Sequence, residues 1–151
     1  MNEALKSTLK DQLGMLNGVV DLFGGNGNLS KDLNYSKRLC IDLYSKLPGP
    51  DFFSQDIYHK GALQNVIREI GKRNLAVTHL LIDPPRSGLK NLGQWASELS
   101  PQQIIYVSCD PHTLARDILE LPDYEVKKAI VFDFFPSTFH FESLVILDRK
   151  S

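Results

Sequence analysis

Short apolar runs alternate along this chain with stretches whose apolar residues recur at helical spacing. The runs at residues 18–23, 38–42, 77–83, 103–108, 126–135 and 141–147 read as strands, and 51–54 adds a weaker seventh. Helical spacing covers residues 3–13, 60–72, 89–99 and 111–121. Alternation of this kind, with no internal repeat or low-complexity tract, predicts an α/β domain built on a mainly parallel sheet. Residues 43–50, broken by Pro48-Gly49-Pro50, are too few for a full crossover helix, so the second strand should reach the third by an abbreviated connection. Residues 136–140 are few enough to join the last two runs as an antiparallel pair.

The chain has 151 residues, of which 42% are hydrophobic, enough for one domain with a real core and too few for a second. Seventeen basic and eighteen acidic residues leave a net charge of −1, so its surface as a whole is not that of a nucleic-acid binder. Two cysteines in unlike surroundings do not form a disulfide framework. With four histidines they do not make a four-ligand zinc spacing either, so no metal is expected in this chain. No apolar stretch approaches the roughly 20 residues of a membrane span, and Met1-Asn2-Glu3 does not begin a signal peptide. The expectation is a soluble, cytoplasmic protein with no membrane partner.

Four places carry candidate chemistry. Asp21-Leu22-Phe23-Gly24-Gly25-Asn26-Gly27-Asn28 follows the first strong strand, where glycines let the backbone approach a ligand. Asp42 ends the second strand 21 residues after Asp21, a position from which a carboxylate can accept both hydroxyls of a ribose. The loop departs from the dinucleotide fingerprint by placing Ser30 in the last glycine position, which favours S-adenosylmethionine over a nicotinamide dinucleotide. Asp83-Pro84-Pro85-Arg86-Ser87-Gly88 leaves the sheet on the same side; it is either a proline-stiffened connection or a rigid turn that aims Asp83 into the ligand crevice.

The third place is Tyr106-Val107-Ser108-Cys109-Asp110-Pro111, where a strand ends and a helix starts at once. Helix N–H groups and the dipole should favour a thiolate on Cys109, while Asp110 opposes it by like charge. Glu142 follows His140 amid Phe132, Phe134, Phe135, Phe139 and Phe141. It is either a solvent-facing residue of an edge strand or a desolvated carboxylate suited to proton abstraction, and His140 is a turn residue or its orienter.

Taken together, residues 21–28, 83–88, 106–117 and 135–142 resemble the S-adenosylmethionine-dependent RNA uracil-5-methyltransferases that act on transfer and ribosomal RNA. The segments Tyr106 to Asp117 and Phe135 to Glu142 are the most specific parts of the resemblance. It implies a Rossmann-like methyltransferase fold with seven mostly parallel strands and an antiparallel C-terminal strand. It further implies a nucleophilic Cys109, a base at Glu142, and Asp83 beside both donor and target. The donor, S-adenosyl-L-methionine, would be held by Asp21, Phe23, Gly25, Asn26, Gly27, Asn28, Asp42, Asp83 and, at the adenine, Asp56. Gly24 stands where many members of that family have cysteine, and Asp110 where asparagine is usual. The family's N-terminal RNA-binding barrel, central domain and a glutamine-bearing segment have no counterpart in residues 1–151. The resemblance therefore implies the catalytic domain alone, with RNA gripped through domains outside it and weak or no turnover by the chain in isolation. Two further readings stand beside this one: an amino methyltransferase using the Asp83-Pro84-Pro85 turn, which leaves Cys109 and Glu142 without a task, and a non-catalytic cofactor-binding module.

Overall fold

The computed structural model describes residues 3–43, 49–134, 137–138 and 140–151. A helix α1 (Glu3–Gln12) precedes strands β1 (Leu16–Leu22), β2 (Tyr35–Asp42) and β3 (Phe52–Ser54). Helices and strands then alternate as α2 (Ala62–Lys72), β4 (His79–Ile82), α3 (Leu92–Leu99), β5 (Gln103–Ser108) and α4 (Pro111–Ile118), and the chain closes with β6 (Tyr124–Phe132) and β7 (Glu142–Arg149). All seven strands form one sheet in the order β3-β2-β1-β4-β5-β7-β6. Strands β1 to β5 run parallel, and β7 lies antiparallel to both β5 and β6. Each element expected from the sequence is present, and the Rossmann-like α/β class holds. Insertion of the last strand between β5 and β6 was not legible in the spacing of apolar residues.

Alternate residues of the central strands serve two cores, as the twofold period of a strand requires. Val20, Leu22, Leu80, Ile82, Ile104 and Tyr106 face the layer of α2, α3 and α4, where Trp95 and Leu92 are fully buried. Val19, Leu81, Ile105 and Val107 face Leu5 and Leu9 of α1 and the segment carrying Leu29 and Leu33. Residues 25–32 are a series of turns rather than a regular helix. Gly25 and Gly27 hold positive φ angles of 56° and 79°, and Asn26 and Asn28 add no helix propensity. Residues 44–48 of the abbreviated connection lie outside the described residues, as do Phe135, Pro136 and Phe139 of the aromatic segment. Among the described residues no helix is long and apolar enough to cross a membrane.

One buried carboxylate joins the two halves of the sheet's upper rim. Asp117 of α4, fully buried, accepts the Leu89 N–H at 2.7 Å and the Tyr106 hydroxyl at 2.5 Å on one oxygen. Its other oxygen takes Nε and Nη2 of Arg116 at 2.9 and 2.7 Å, and the same Nη2 donates to the Ser87 carbonyl at 2.7 Å. The Tyr58 hydroxyl donates to the Gly88 carbonyl at 2.8 Å from the opposite side. At Gly88, with φ 68°, a Cβ would sit 2.4 Å from Asp117 Oδ2, so the loop closes over the carboxylate only with glycine there. The turn after β4 is thus fastened to the helix that begins beside Cys109.

Asp117→Ala leaves the Leu89 N–H and the Tyr106 hydroxyl without their acceptor, while the partly exposed Arg116 guanidinium can turn to water. It is expected to cost about 1–3 kcal/mol of stability for each unpaired donor, read as a fall in the urea midpoint at unchanged slope; a loss within experimental error contradicts this account of the rim.

Candidate active site

Strand pairing, more than any loop, assembles the reactive side chains. The final rung of the antiparallel β5–β7 ladder is Ser108 opposite Ser143, so the next opposed positions are Cys109 and Glu142. Opposed residues of such a ladder project from the same face. Both side chains line a single cavity of about 310 Å³ with Arg86, Phe134, His140 and Phe141. On its other side Glu142 pairs with Phe132 of β6, whose ring lies 5.5 Å from that of Phe134. The carboxylate is half-buried against this apolar wall, and burial raises its affinity for a proton. His140 lines the same cavity and its N–H donates to the Thr138 hydroxyl at 3.2 Å.

Cys109 sits in a bracket made by its neighbours. The Ser108 hydroxyl donates to the Asp110 carbonyl at 2.8 Å and accepts the Asp110 N–H at 3.0 Å. Asp110, with φ −133° and ψ 111°, is the N-cap of α4, and its carboxylate accepts the N–H groups of His112 at 2.9 Å and Thr113 at 3.2 Å. These N–H groups hold the Asp110 carboxyl below its usual range, Thr113 contributing most. The expected helix-terminus support for a Cys109 thiolate is corrected here, because Asp110 consumes the donors that would have supplied it. Burial first, and then the neighbouring Glu142, raise the thiol above its ordinary value; Arg86 opposes the rise and Asp110 adds to it. The balance favours the thiol over the thiolate.

Asp83 follows the end of β4 and is held by the two prolines after it. Burial, together with the charges of Glu142 and Asp21, pushes its carboxyl up to about 7. Arg86, largely exposed, reaches across to place Nη2 3.9 Å from Asp110 Oδ2. Asp83 therefore stands electrostatically between the cysteine–glutamate cavity and the glycine loop.

The glycine loop opens with Phe23 in a left-handed conformation, φ 61°, which costs a bulky residue strain and turns the chain sharply off β1. The Phe23 ring lies 5.4 Å from that of Tyr58. At Gly24 a Cβ would fall 2.4 Å from Cys40 Sγ, so the thiol from β2 already fills the space that a larger residue at position 24 would take. Asp21, Phe23, Gly25, Asn28 and Asp83 line a smaller cavity of about 70 Å³. Asp21 is fully buried, and burial pushes its carboxyl up to about 6 against the bonds and charge that lower it. One of its oxygens accepts the Ser30 hydroxyl at 2.5 Å. The other, Oδ1, is buried with no hydrogen-bond partner, a state that costs about 1–3 kcal/mol or more until a donor arrives.

The remaining candidates from the sequence lie beside this cavity rather than in its wall. Asp42 Oδ2 accepts the Gly25 N–H at 3.0 Å, tying the end of β2 to the loop. Asp56 accepts the Tyr58 N–H at 3.0 Å and so closes a local turn. Asn26 is exposed. Gly27 passes over the Arg38 guanidinium, whose Nη1 would be 2.7 Å from a Cβ there. Arg86, Arg38, Tyr58 and Asp117 were not singled out by the sequence. Only Asp117 left a signal, as an acidic residue in register with Leu114 on the buried face of α4. Among the described residues no group of three or more metal-ligating side chains gathers.

A protein-family model described as tRNA (uracil-5-)-methyltransferase matches residues 50–150. A 23S rRNA (uracil(1939)-C(5))-methyltransferase, RlmD, of Acinetobacter baumannii is 32% identical over 160 aligned positions, covering 87% of this chain and 31% of that protein. A 23S rRNA (uracil(747)-C(5))-methyltransferase, RlmC, of Pasteurella multocida is 43% identical over 72 residues, covering 47% of this chain and 19% of the other. The chain thus spans between a fifth and a third of the length of these relatives. A solved structure of Pyrococcus abyssi tRNA (uracil-54, C5)-methyltransferase in complex with S-adenosyl-L-homocysteine superimposes with a TM-score of 0.60 at 22% identity, over 95% of this chain and 37% of that one, a likeness of fold. The family model covers two-thirds of the chain, including the Asp83 turn, the Cys109 bracket and Glu142, and the chain belongs to the tRNA (uracil-5-)-methyltransferase family.

Proposed function

We propose that this chain carries the catalytic centre of an enzyme that methylates carbon 5 of a uridine in transfer or ribosomal RNA, with Cys109 as nucleophile, Glu142 as base and S-adenosyl-L-methionine as donor. The observation that carries the reading is the single cavity shared by Cys109 and Glu142, one rung past the β5–β7 pairing, with Asp83 feeling both Glu142 and Asp21. Carbon 5 of uracil is too weak a nucleophile to take a methyl group unaided. Addition of the Cys109 sulfur to carbon 6 as a thiolate, its proton lost to solvent, moves the ring's double-bond electrons into an enolate whose carbon 5 can take a methyl group from a sulfonium, the donor's sulfur leaving as a neutral thioether. Once carbon 5 is alkylated, Glu142 removes its remaining proton, the ring re-forms its double bond, and the sulfur leaves carbon 6 as a thiolate. The cavity of about 310 Å³ suits one pyrimidine taken out of its stack, with Phe134 and Phe141 as its apolar walls.

The glycine loop fits the donor on the chain's own chemistry. S-adenosyl-L-methionine supplies, when bound, a methyl group on a cationic sulfur, together with an ammonium. The site offers a buried carboxylate oxygen without a partner at Asp21 and, from the end of β4, a second carboxyl, Asp83, whose proton affinity is raised by burial and then by its acidic neighbours. Acids crowded in this way are stabilised by a cation. Gly25 and Gly27 let the backbone approach it closely, and Asp42 anchors the loop through Gly25. With a net charge of −1 the chain has no bulk attraction for a phosphate backbone, so the reading assigns RNA capture to parts of the full enzyme outside these residues and turnover near zero to the chain alone.

Incubated with RNA carrying 5-fluorouridine and the donor, in the setting of the full-length enzyme, the protein is expected to form a covalent adduct visible by mass spectrometry, because fluorine cannot be removed as a proton. Cys109→Ala abolishes it, and methyl transfer that survives this substitution contradicts the reading. Glu142→Gln is expected to slow turnover on ordinary uridine by about 10²–10⁴-fold while the adduct still forms and accumulates; full activity would remove Glu142 from the reaction. Because the thiol is raised and must ionise, adduct formation should climb with pH through and above neutrality. Asp110→Asn keeps the N-cap and removes one repelling charge, which moves that rise to lower pH. A shift to higher pH contradicts the electrostatics described here.

A further inference from the structure

Arg38 has no place in the chemistry above, yet it is an arginine only 9% exposed, directly beneath the glycine loop. Its guanidinium lies over the rings of Tyr35 and Phe52, 5.0 and 5.2 Å from their centroids, and Nη2 is 3.6 Å from Asp51 Oδ2. Nη1 lies 3.1 Å from the Ser30 hydroxyl oxygen, and Ser30 is itself fully buried. A guanidinium only donates, so the hydroxyl must accept from Arg38 and spend its one proton on Asp21, 2.5 Å away. The chain of bonds therefore runs one way, from Arg38 through Ser30 to Asp21 Oδ2. That fixes the rotation of the carboxylate and leaves Oδ1 as the buried oxygen with no partner.

We propose that Arg38 is a positioning residue for the amino-acid end of the methyl donor: acting through Ser30, it fixes the Asp21 carboxylate so that Oδ1 receives the donor's α-ammonium. This rests on the reading of the glycine loop as a donor site. The cavity of about 70 Å³ beside Asp21 has room for about two groups the size of a water molecule, the scale of an ammonium and its carbon. The groups facing Asp21 are Arg38, Cys40 and Asp42 from β2, with Asp83 from the end of β4. Arg38 is the cation among them, so it favours an ionised Asp21, the form that can receive an ammonium.

The test is titration calorimetry of the full chain with S-adenosylhomocysteine and with its des-amino analogue, which lacks the ammonium and keeps the rest. Wild type should prefer the amino form by about tenfold or more, and Arg38→Met should weaken that ligand by about tenfold while leaving the analogue within about twofold. Arg38→Lys should recover part of the preference. Ser30→Ala keeps the guanidinium and breaks the chain of bonds, so it should erase the preference in the same way and carries the test where Arg38→Met fails to fold. In wild type the preference should also fade as pH falls through about 6, where Asp21 takes up a proton, and the fading should begin at higher pH in Arg38→Met. Equal loss for both ligands would mean that Arg38 merely supports the loop, and an undiminished preference in both variants would mean that Asp21 needs no positioning; either overturns the proposal alone. Wild type that binds neither ligand overturns the donor reading, and the proposal with it.

Discussion

The site depends on the antiparallel seam between β5 and β7. A cysteine and a glutamate far apart in sequence become neighbours because Ser108 pairs with Ser143, and the next step along both strands brings Cys109 opposite Glu142. Register here is an energetic matter. One residue of slip would carry Leu144 and Ile146 off the core face they share with Ile105 and Val107 and would move Val145 and Leu147 into their place. Packing of two apolar faces thus fixes the separation of two polar groups that make no bond to one another. The Asp117 anchor extends this order to the turn after β4, so that Asp83 and Arg86 are set by the same helix that starts behind the cysteine.

Much of this was legible in the sequence, for identifiable reasons. The central strands are buried on both faces and so appear as unbroken apolar runs, and β5 is delimited to the residue by Pro101 before it and by Cys109-Asp110-Pro111 after it. The ends that moved are those where local signals compete with tertiary contacts. The run at 89–99 has helical spacing throughout, yet the helix begins at Leu92, because the Leu89 N–H is taken by Asp117 and residues 86–91 follow the anchored turn. Strand β6 starts before its apolar run, since the Tyr124 hydroxyl donates to the Pro101 carbonyl at 2.5 Å and the strand absorbs a bulge between Val126 and Lys128. The site showed a similar division: Cys109, Glu142 and Asp83 were visible as reactive types at strand ends, whereas Arg38, Arg86 and Tyr58 act across elements and leave no periodic trace.

The helix after Cys109 illustrates how a local rule can be right in kind and wrong in outcome. A helix N-terminus does concentrate donors there, but an aspartate one residue past the sulfur has first claim on them. Gly24 makes the converse point. Read alone it is a missing side chain; beside Cys40 it is a volume already occupied, because the thiol from β2 lies where a Cβ would go. Both positions make sense only as pairs, Asp110 with the first turn of α4 and Gly24 with the β2 thiol.

The electrostatics of the rim share one direction. Asp21, Asp83 and Glu142 are all raised above the ordinary carboxylate range, each first by burial, and Asp83 additionally by the other two. Asp83, pushed up to about 7, is the member that holds a proton near neutrality, and a cation bound among the three favours the ionised form of each. On the proposed reading the donor carries that cation, so the carboxylate meant to remove a proton at the end of the cycle is driven toward its ionised, competent form when a methyl group is at hand. Ionisation of Cys109 is opposed first by burial and then by the neighbouring Glu142. A resting thiol is slow to oxidise or to add to stray electrophiles. On the proposed reading, Cys109 and Glu142 are linked through a shared field, so that entry of the cationic ligand favours the ionised form of each.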